Sequence, residues 1–181
     1  MADLKPPLKG YSLFLEAEGS EQKFLQELVD DLARKNRTFT FPAHVTLLGL
    51  LDKTPADLDH VKQAGREIAA GYRGVVTEIV GMGIRRMYFQ SVFLPVSPSS
   101  ELMTMSQQAR VLLGHEADPP FMPHWSAVYG DIDERQKRAI VRDLMGVVPF
   151  PKVVAIKNIA LADVSGYPDE WKILERYPLA D

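Results

Sequence analysis

Cysteine is absent from the chain, which excludes disulfide frameworks, thiol nucleophiles, iron-sulfur clusters and cysteine-ligated zinc together. Long apolar runs are missing as well, and no stretch approaches the roughly 18 residues that a membrane span needs. Near the amino terminus the run Tyr11 to Leu15 is short and is followed at once by Glu16. No secretory signal is therefore expected, and the cytoplasm is the expected location. Neither sign of charge dominates. Lys and Arg number 21 against 24 Asp and Glu, a net charge of -3, with an isoelectric point near 5.8. That balance argues against a broad basic surface for a membrane or for extended nucleic acid. A small anionic ligand stays compatible with it. Histidine is scarce, at four residues, so acid-base chemistry near neutrality has few carriers.

What is there suits one folded unit. The 181 residues, 46% hydrophobic and 25% charged, have the balance of a globular domain large enough to bury a core. Tyr11 to Ala17 reads as a strand. After it, Phe24, Leu25, Leu28 and Leu32 share one helical face, with Ser20 the expected N-cap. Ala43 to Leu50 reads as a strand, and the next helix has Thr54 as its expected cap, Pro55 at its first position and Asp57 at its third. Gly74 to Val80 and Met87 to Val96 read as strands, with a turn at Gly81 and Gly83 between them. Ser97 and Pro98 open another helix whose inward residues are Leu102, Met105, Ala109 and Leu112. Beyond it come a strand at His124 to Tyr129, a helix at Glu134 to Met145, a strand at Val153 to Ala162 and a closing strand at Trp171 to Arg176.

That order is βαβαβ repeated, with one strand added. Phe41-Pro42-Ala43-His44-Val45-Thr46 aligns with Phe121-Met122-Pro123-His124-Trp125-Ser126 at an offset of 80 residues. A degenerate duplication of this kind implies two similar lobes about an approximate twofold axis, which brings His44 and His124 together. The expected organisation is a single bilobal domain over residues 1–181, with lobes formed from about 10–82 and 84–178.

Side chains two apart on a strand share a face. His44 therefore points with Thr46, and His124 with Ser126, while Val45, Leu47, Trp125 and Ala127 face the helices. Each lobe thus offers an imidazole and a hydroxyl on the side away from its helical layer, where they line a groove. The remaining polar features read as structure. His60 lies among charged neighbours on a helix surface. His115 with Glu116 and Asp118 lacks the spacing of a zinc helix and sits at a helix end. Gly81-Met82-Gly83 is too short for a phosphate loop. Arg85 and Arg86 read as a solvated loop, the alternative being a clamp on a distal phosphate, and Trp125 and Trp171 read as core.

Two His-x-Ser/Thr motifs some eighty residues apart, in a cysteine-free chain of this size, resemble the 2H phosphoesterase superfamily. The stretch Met87 to Leu94 and the Trp171-Lys172 end look like those of its cyclic phosphodiesterase branch. That resemblance implies an α+β fold, two antiparallel sheets flanking a central cleft with helices outside. It implies hydrolysis of a small cyclic phosphate, either ADP-ribose 1'',2''-cyclic phosphate or a nucleoside 2',3'-cyclic phosphate, with no metal and no cofactor. Carried over by position, the catalytic pair is His44 and His124, and the phosphate-binding residues are Thr46, Ser126 and Tyr129. Strand alternation puts Tyr129 opposite Ser126, so its role requires the strand to end or bulge before it. By analogy His124 is the base and His44 the acid. An RNA-end phosphodiesterase or RNA 2',5' ligase keeps the same site but favours a basic groove. A nucleotide-binding module without catalysis has no need of a paired acid and base. Oligomeric state has no signature in the sequence.

Overall fold

The computed structural model describes residues 4–51 and 55–180. In chain order the elements are β1 (Tyr11–Glu16), α1 (Gly19–Asn36), β2 (Val45–Leu51), α2 (Pro55–Gly71), β3 (Val76–Ile79), β4 (Gly83–Ile84), β5 (Val92–Pro95), α3 (Ser100–Leu113), β6 (His124–Val128), α4 (Glu134–Met145), β7 (Lys152–Ala155), β8 (Asn158–Asp163) and β9 (Lys172–Pro178), with 3-10 turns at Tyr88–Gln90 and Pro168–Glu170. Seven strands form an antiparallel sheet in the order β4-β5-β6-β2-β1-β8-β9, and β3 pairs with β7 in a separate ribbon. The fold is α+β. No helix among the described residues is long and apolar enough to cross a membrane.

The large sheet is two ladders joined by a thread. On one side β2, β1, β8 and β9 pair over long registers, and on the other β4, β5 and β6 pair over shorter ones. Between β2 and β6 a single residue pair, Val45 with Trp125, connects them. The strands on the two sides do not come from separate halves of the chain, because β8 and β9 extend the sheet beyond β1, and α1 packs against β6.

Alternation along the central strands divides the two faces. Leu13, Leu15, Val45, Leu47, Trp125, Ile159 and Leu161 join one core cluster with Leu25 and Val29 of α1, Val61 and Ile68 of α2, and Leu102, Met105 and Ala109 of α3. On the other face Phe14, Ala160, Ala162 and Val164 form a smaller cluster against Trp171. Burial of these apolar side chains at about 25 cal/mol per Å² is the main term that holds the layers together.

Several boundaries differ from the sequence reading, each for a traceable reason. The cap position of α1 is Glu18, whose side chain makes no cap bond, and Ser20 falls inside the helix; Gln22 Oε1 instead accepts from the Ala17 N–H at 3.1 Å. Thr54, the expected cap of α2, lies outside the described residues. Ser99, two residues beyond Ser97, caps α3 by accepting from the Leu102 N–H at 3.2 Å. The run Met87 to Val96 is a 3-10 turn followed by a short strand, because Tyr88–Gln90 leaves the sheet. Val153 to Ala162 is two strands. The Ile156 N–H donates to Val75 O at 2.8 Å and the next amide, Lys157, to Glu16 O at 2.9 Å. Successive amides thus bond to different sheets, and apolar pattern alone cannot mark that change.

Gly65 shows how tightly the helical layer is packed. A Cβ there would lie 2.4 Å from Cε2 of Tyr177, whose ring is buried. Alanine in a helix interior normally gains about 1 kcal/mol over glycine, but overpacking typically costs about 1–3 kcal/mol. Gly65→Ala should lower the urea unfolding free energy, and an unchanged or raised value would mean that the Tyr177 ring can yield.

Candidate active site

The site follows from one register. With Val45 opposite Trp125 in an antiparallel pair, position 44 sits across from 126 and position 46 across from 124. His44, Thr46, His124 and Ser126 therefore stand at the corners of one patch, on the face away from the main core. A cleft of about 460 Å³ opens over it, lined by His44, Thr46, His124, Tyr129, Phe14 and Trp171 among others.

Both histidines are held in the same way. His44 Nδ1 lies 2.5 Å from Pro42 O and His124 Nδ1 lies 2.8 Å from Met122 O, in each case the carbonyl two residues upstream. Because a carbonyl only accepts, each Nδ1 carries the proton and each Nε2 keeps its lone pair. His44 Nε2 accepts from the Thr46 hydroxyl at 3.1 Å. The rings are also packed, His44 stacked on Phe14 with centroids 3.4 Å apart and His124 edge-on to Phe93 at 5.4 Å.

The segments that lead into the two strands are irregular, and helix side chains pin them. From α1, Gln26 donates to Phe41 O at 3.0 Å and accepts from the Ala43 N–H at 2.8 Å, while Gln22 donates to Ala43 O at 2.9 Å. From α3, Arg110 donates to the carbonyls of Asp118 and Pro119. These residues position the histidines through the backbone and were not singled out in the sequence. The signal was a glutamine pair at i and i+4 beside the buried stripe of α1.

Ser126 is not among the residues lining the cleft. It is buried, and its Oγ donates to Phe89 O at 3.4 Å because the 3-10 turn at Tyr88–Gln90 lies over it. Tyr129 does line the cleft. β6 ends at Val128, and Gly130 at φ 148° turns the chain, so Tyr129 escapes the alternation and forms a hydrogen bond with Ser126. Its ring stacks on Phe41 with centroids 3.8 Å apart. Trp171, expected in the core, also lines the cleft, its ring 5.9 Å from those of Phe89 and Tyr129. Trp125 lies in the core. His60 is exposed and bonded to Leu112 O at 2.7 Å, and His115 pairs with Asp118 at 2.9 Å. Neither reaches the cleft.

Burial sets the electrostatics. Desolvation pushes the His44 pKa down to about 3, a hydrogen bond to Pro42 opposes this, and positive charge on His124 would lower it further. His124 is lowered as well, mainly by burial and also by Arg85, against its bond to Met122. Tyr129 is raised by burial, against its bond to Ser126, which keeps the phenol a neutral donor. At neutral pH the cleft thus holds two uncharged imidazoles and two or three hydroxyls. That set suits a phosphate ester, since the donors meet its oxygens and the anion restores basicity to the rings.

Solved structures with this fold are known, although their sequences have diverged. LigT from E. coli, crystallised with NADP+, is 14% identical with a TM-score of 0.64, covering 97% of this chain and 100% of that one. TT0787 from Thermus thermophilus is 18% identical with a TM-score of 0.63, covering 93% and 97%. Usb1 from Kluyveromyces marxianus is more distant, at 13% identity and a TM-score of 0.50 over 96% and 99%. No curated protein matches the chain in sequence. This fold, together with the family match that follows, puts the chain among the 2H phosphoesterases. The sequence model of the cyclic phosphodiesterase-like proteins matches residues 10–179, and the chain belongs to that family.

The buried histidine couples stability to pH. His44 resists protonation until about pH 3 in the folded chain, whereas an unfolded histidine takes up its proton near pH 6.5. Stability is therefore fully present above about pH 6.5 and declines as the pH falls through that window, by up to about 1.4 kcal/mol per pH unit from this residue. Urea unfolding at pH 7 and pH 5 should show a smaller loss in His44→Gln than in the wild type. Equal losses would show that His44 is not held neutral.

Proposed function

We propose that the chain hydrolyses a small cyclic phosphate, ADP-ribose 1'',2''-cyclic phosphate or a nucleoside 2',3'-cyclic phosphate, to a phosphomonoester without a metal. The observation that carries this reading is the matched pair of imidazoles, each with its Nδ1 proton committed to a backbone carbonyl and its Nε2 left for chemistry at one cleft. Family membership supports the reaction class. LigT has been crystallised with 3'-AMP, ATP and NADP+, which supports a small phosphate-bearing nucleotide as ligand. The two lobes act as one bilobal unit, each supplying one histidine.

In-line attack on a five-membered cyclic phosphate needs a base on the entering water and an acid on the departing oxygen, on opposite sides of phosphorus. His44 and His124 serve those roles. Thr46, giving up its bond to His44 Nε2, and Tyr129, giving up its bond to Ser126, donate to the non-bridging oxygens, where charge gathers in the transition state. Ser126 joins them by exchanging its 3.4 Å bond to Phe89 O for a phosphate oxygen. Burial ranks the two imidazoles. His44, which stays unprotonated at neutral pH, is available as the base, and His124, less deeply buried, is the readier acid. This reverses the assignment that analogy supplies.

His44→Ala and His124→Ala should each lower kcat on adenosine 2',3'-cyclic phosphate by about 100-fold or more, and near wild-type turnover in either would refute the mechanism. EDTA should leave turnover unchanged; abolition, restored by a divalent ion, would refute the metal-free scheme. A diester with 4-nitrophenolate as leaving group needs no general acid. His124→Ala should therefore recover most of its loss on that substrate and His44→Ala should not. The opposite result would restore His124 as base.

A further inference from the structure

Arg85 lines the cleft, and the proposed reaction does not use it. It follows β4 and its side chain is exposed. Its partners are neutral and weak. Nη1 donates to Gln90 Oε1 at 2.9 Å, Nη2 approaches Met122 Sδ at 3.0 Å, and the guanidinium carbon stands 5.7 Å from the centre of the Phe93 ring. The adjacent Arg86 turns toward Glu134, at 3.8 Å. Arg110, also in the cleft wall, has both terminal nitrogens committed to the carbonyls of Asp118 and Pro119. Among the described residues, the five donors of the Arg85 guanidinium meet only an amide oxygen and a thioether sulfur.

Its main chain is fixed from behind. Lys137 of α4 is 5% exposed and donates from Nζ to the Arg85 carbonyl at 2.7 Å, with Glu134 at 3.8 Å. A buried ammonium is costly unless its donors are met, so this bond holds the segment in place. The His124 ring stands 5.4 Å from Phe93, on which Arg85 also rests. Imidazole and guanidinium are therefore no farther apart than those two spacings combined, a span that a ribose with phosphates on both sides bridges.

We infer that Arg85 forms a second anion subsite, which takes a phosphate or diphosphate carried on the 5-hydroxyl of the sugar whose cyclic phosphate lies at the histidines. The inference deepens the reaction proposed above and rests on it for the orientation of the substrate. A guanidinium fork matches paired phosphate oxygens. In a chain of net charge -3, a local cation is what makes a doubly phosphorylated ligand preferable to a singly phosphorylated one.

Two measurements test it, one of them independent of turnover. In calorimetry, the wild type should bind adenosine 2',5'-bisphosphate about tenfold or more tightly than adenosine 2'-phosphate, the size of one or two charge-assisted hydrogen bonds. In steady-state assays, adenosine 2',3'-cyclic phosphate carrying a 5'-phosphate should be preferred over the unphosphorylated compound by a similar ratio of kcat/KM, expressed in KM. Arg85→Gln, a change at an exposed side chain, should bring both ratios to within about twofold of one, and Arg85→Lys should keep part of the preference. Lys137→Met should weaken the preference in the same direction. Equal affinity for both nucleotides, binding of neither, or a preference that survives Arg85→Gln would overturn the subsite. Preferential binding that depends on Arg85, without hydrolysis of any cyclic phosphate, would overturn the reaction and uphold the subsite.

Discussion

One contact between strands carries the rest of the molecule. β2 and β6 meet through the single pair Val45 and Trp125, and that pair sets the register of both histidine-bearing strands. A slip of one residue would turn His44 and Thr46 into the apolar layer and Val45 into the cleft. Such a slip is opposed by the burial of Val45, Leu47 and Trp125 against the helices. The hydrophobic core thus acts as the alignment device for the site, and Phe14 and Phe93 carry it into contact with the two imidazoles. Because only one pair joins the two ladders, the strands diverge on either side and leave room for a cleft.

Within that frame the histidines are placed by short-range bonds. Each ring is tied to the carbonyl two residues before it, so the backbone that leads into the strand decides the tautomer. That backbone is itself irregular and would wander if left alone. Gln22 and Gln26 from α1, and Arg110 from α3, satisfy its amides and carbonyls. The two halves reach the same end by different chemistry, an amide pair in one and a guanidinium in the other. Burial then keeps both rings neutral, which costs stability at low pH but leaves two lone pairs at neutral pH, where an arriving phosphate raises ring basicity.

Much of this was legible in the chain. The motif pair at His44 and His124 stood out, and alternation placed Val45, Leu47, Trp125 and Ala127 toward the helices, where they lie buried. Glu134 to Met145 is a helix over those residues. Less legible were changes of partner. Val153 to Ala162 reads as one apolar run, yet its amides pass from one sheet to another at Ile156 and Lys157. Met87 to Val96 reads the same way, but Tyr88–Gln90 folds out over Ser126.

The sequence by itself determined which side chains could do chemistry and which face of each strand they share, because alternation is a local property of the backbone. Tertiary structure alone decided that Tyr129 enters the cleft, that Ser126 is covered, that Trp171 lines the wall while packing against the core, and that Arg85 meets only neutral partners among the described residues. Those outcomes depend on where a strand stops, as at Val128 before Gly130, and on which distant segment lies over it. Contacts between residues far apart in the chain set both, and no pattern of neighbouring residues encodes them.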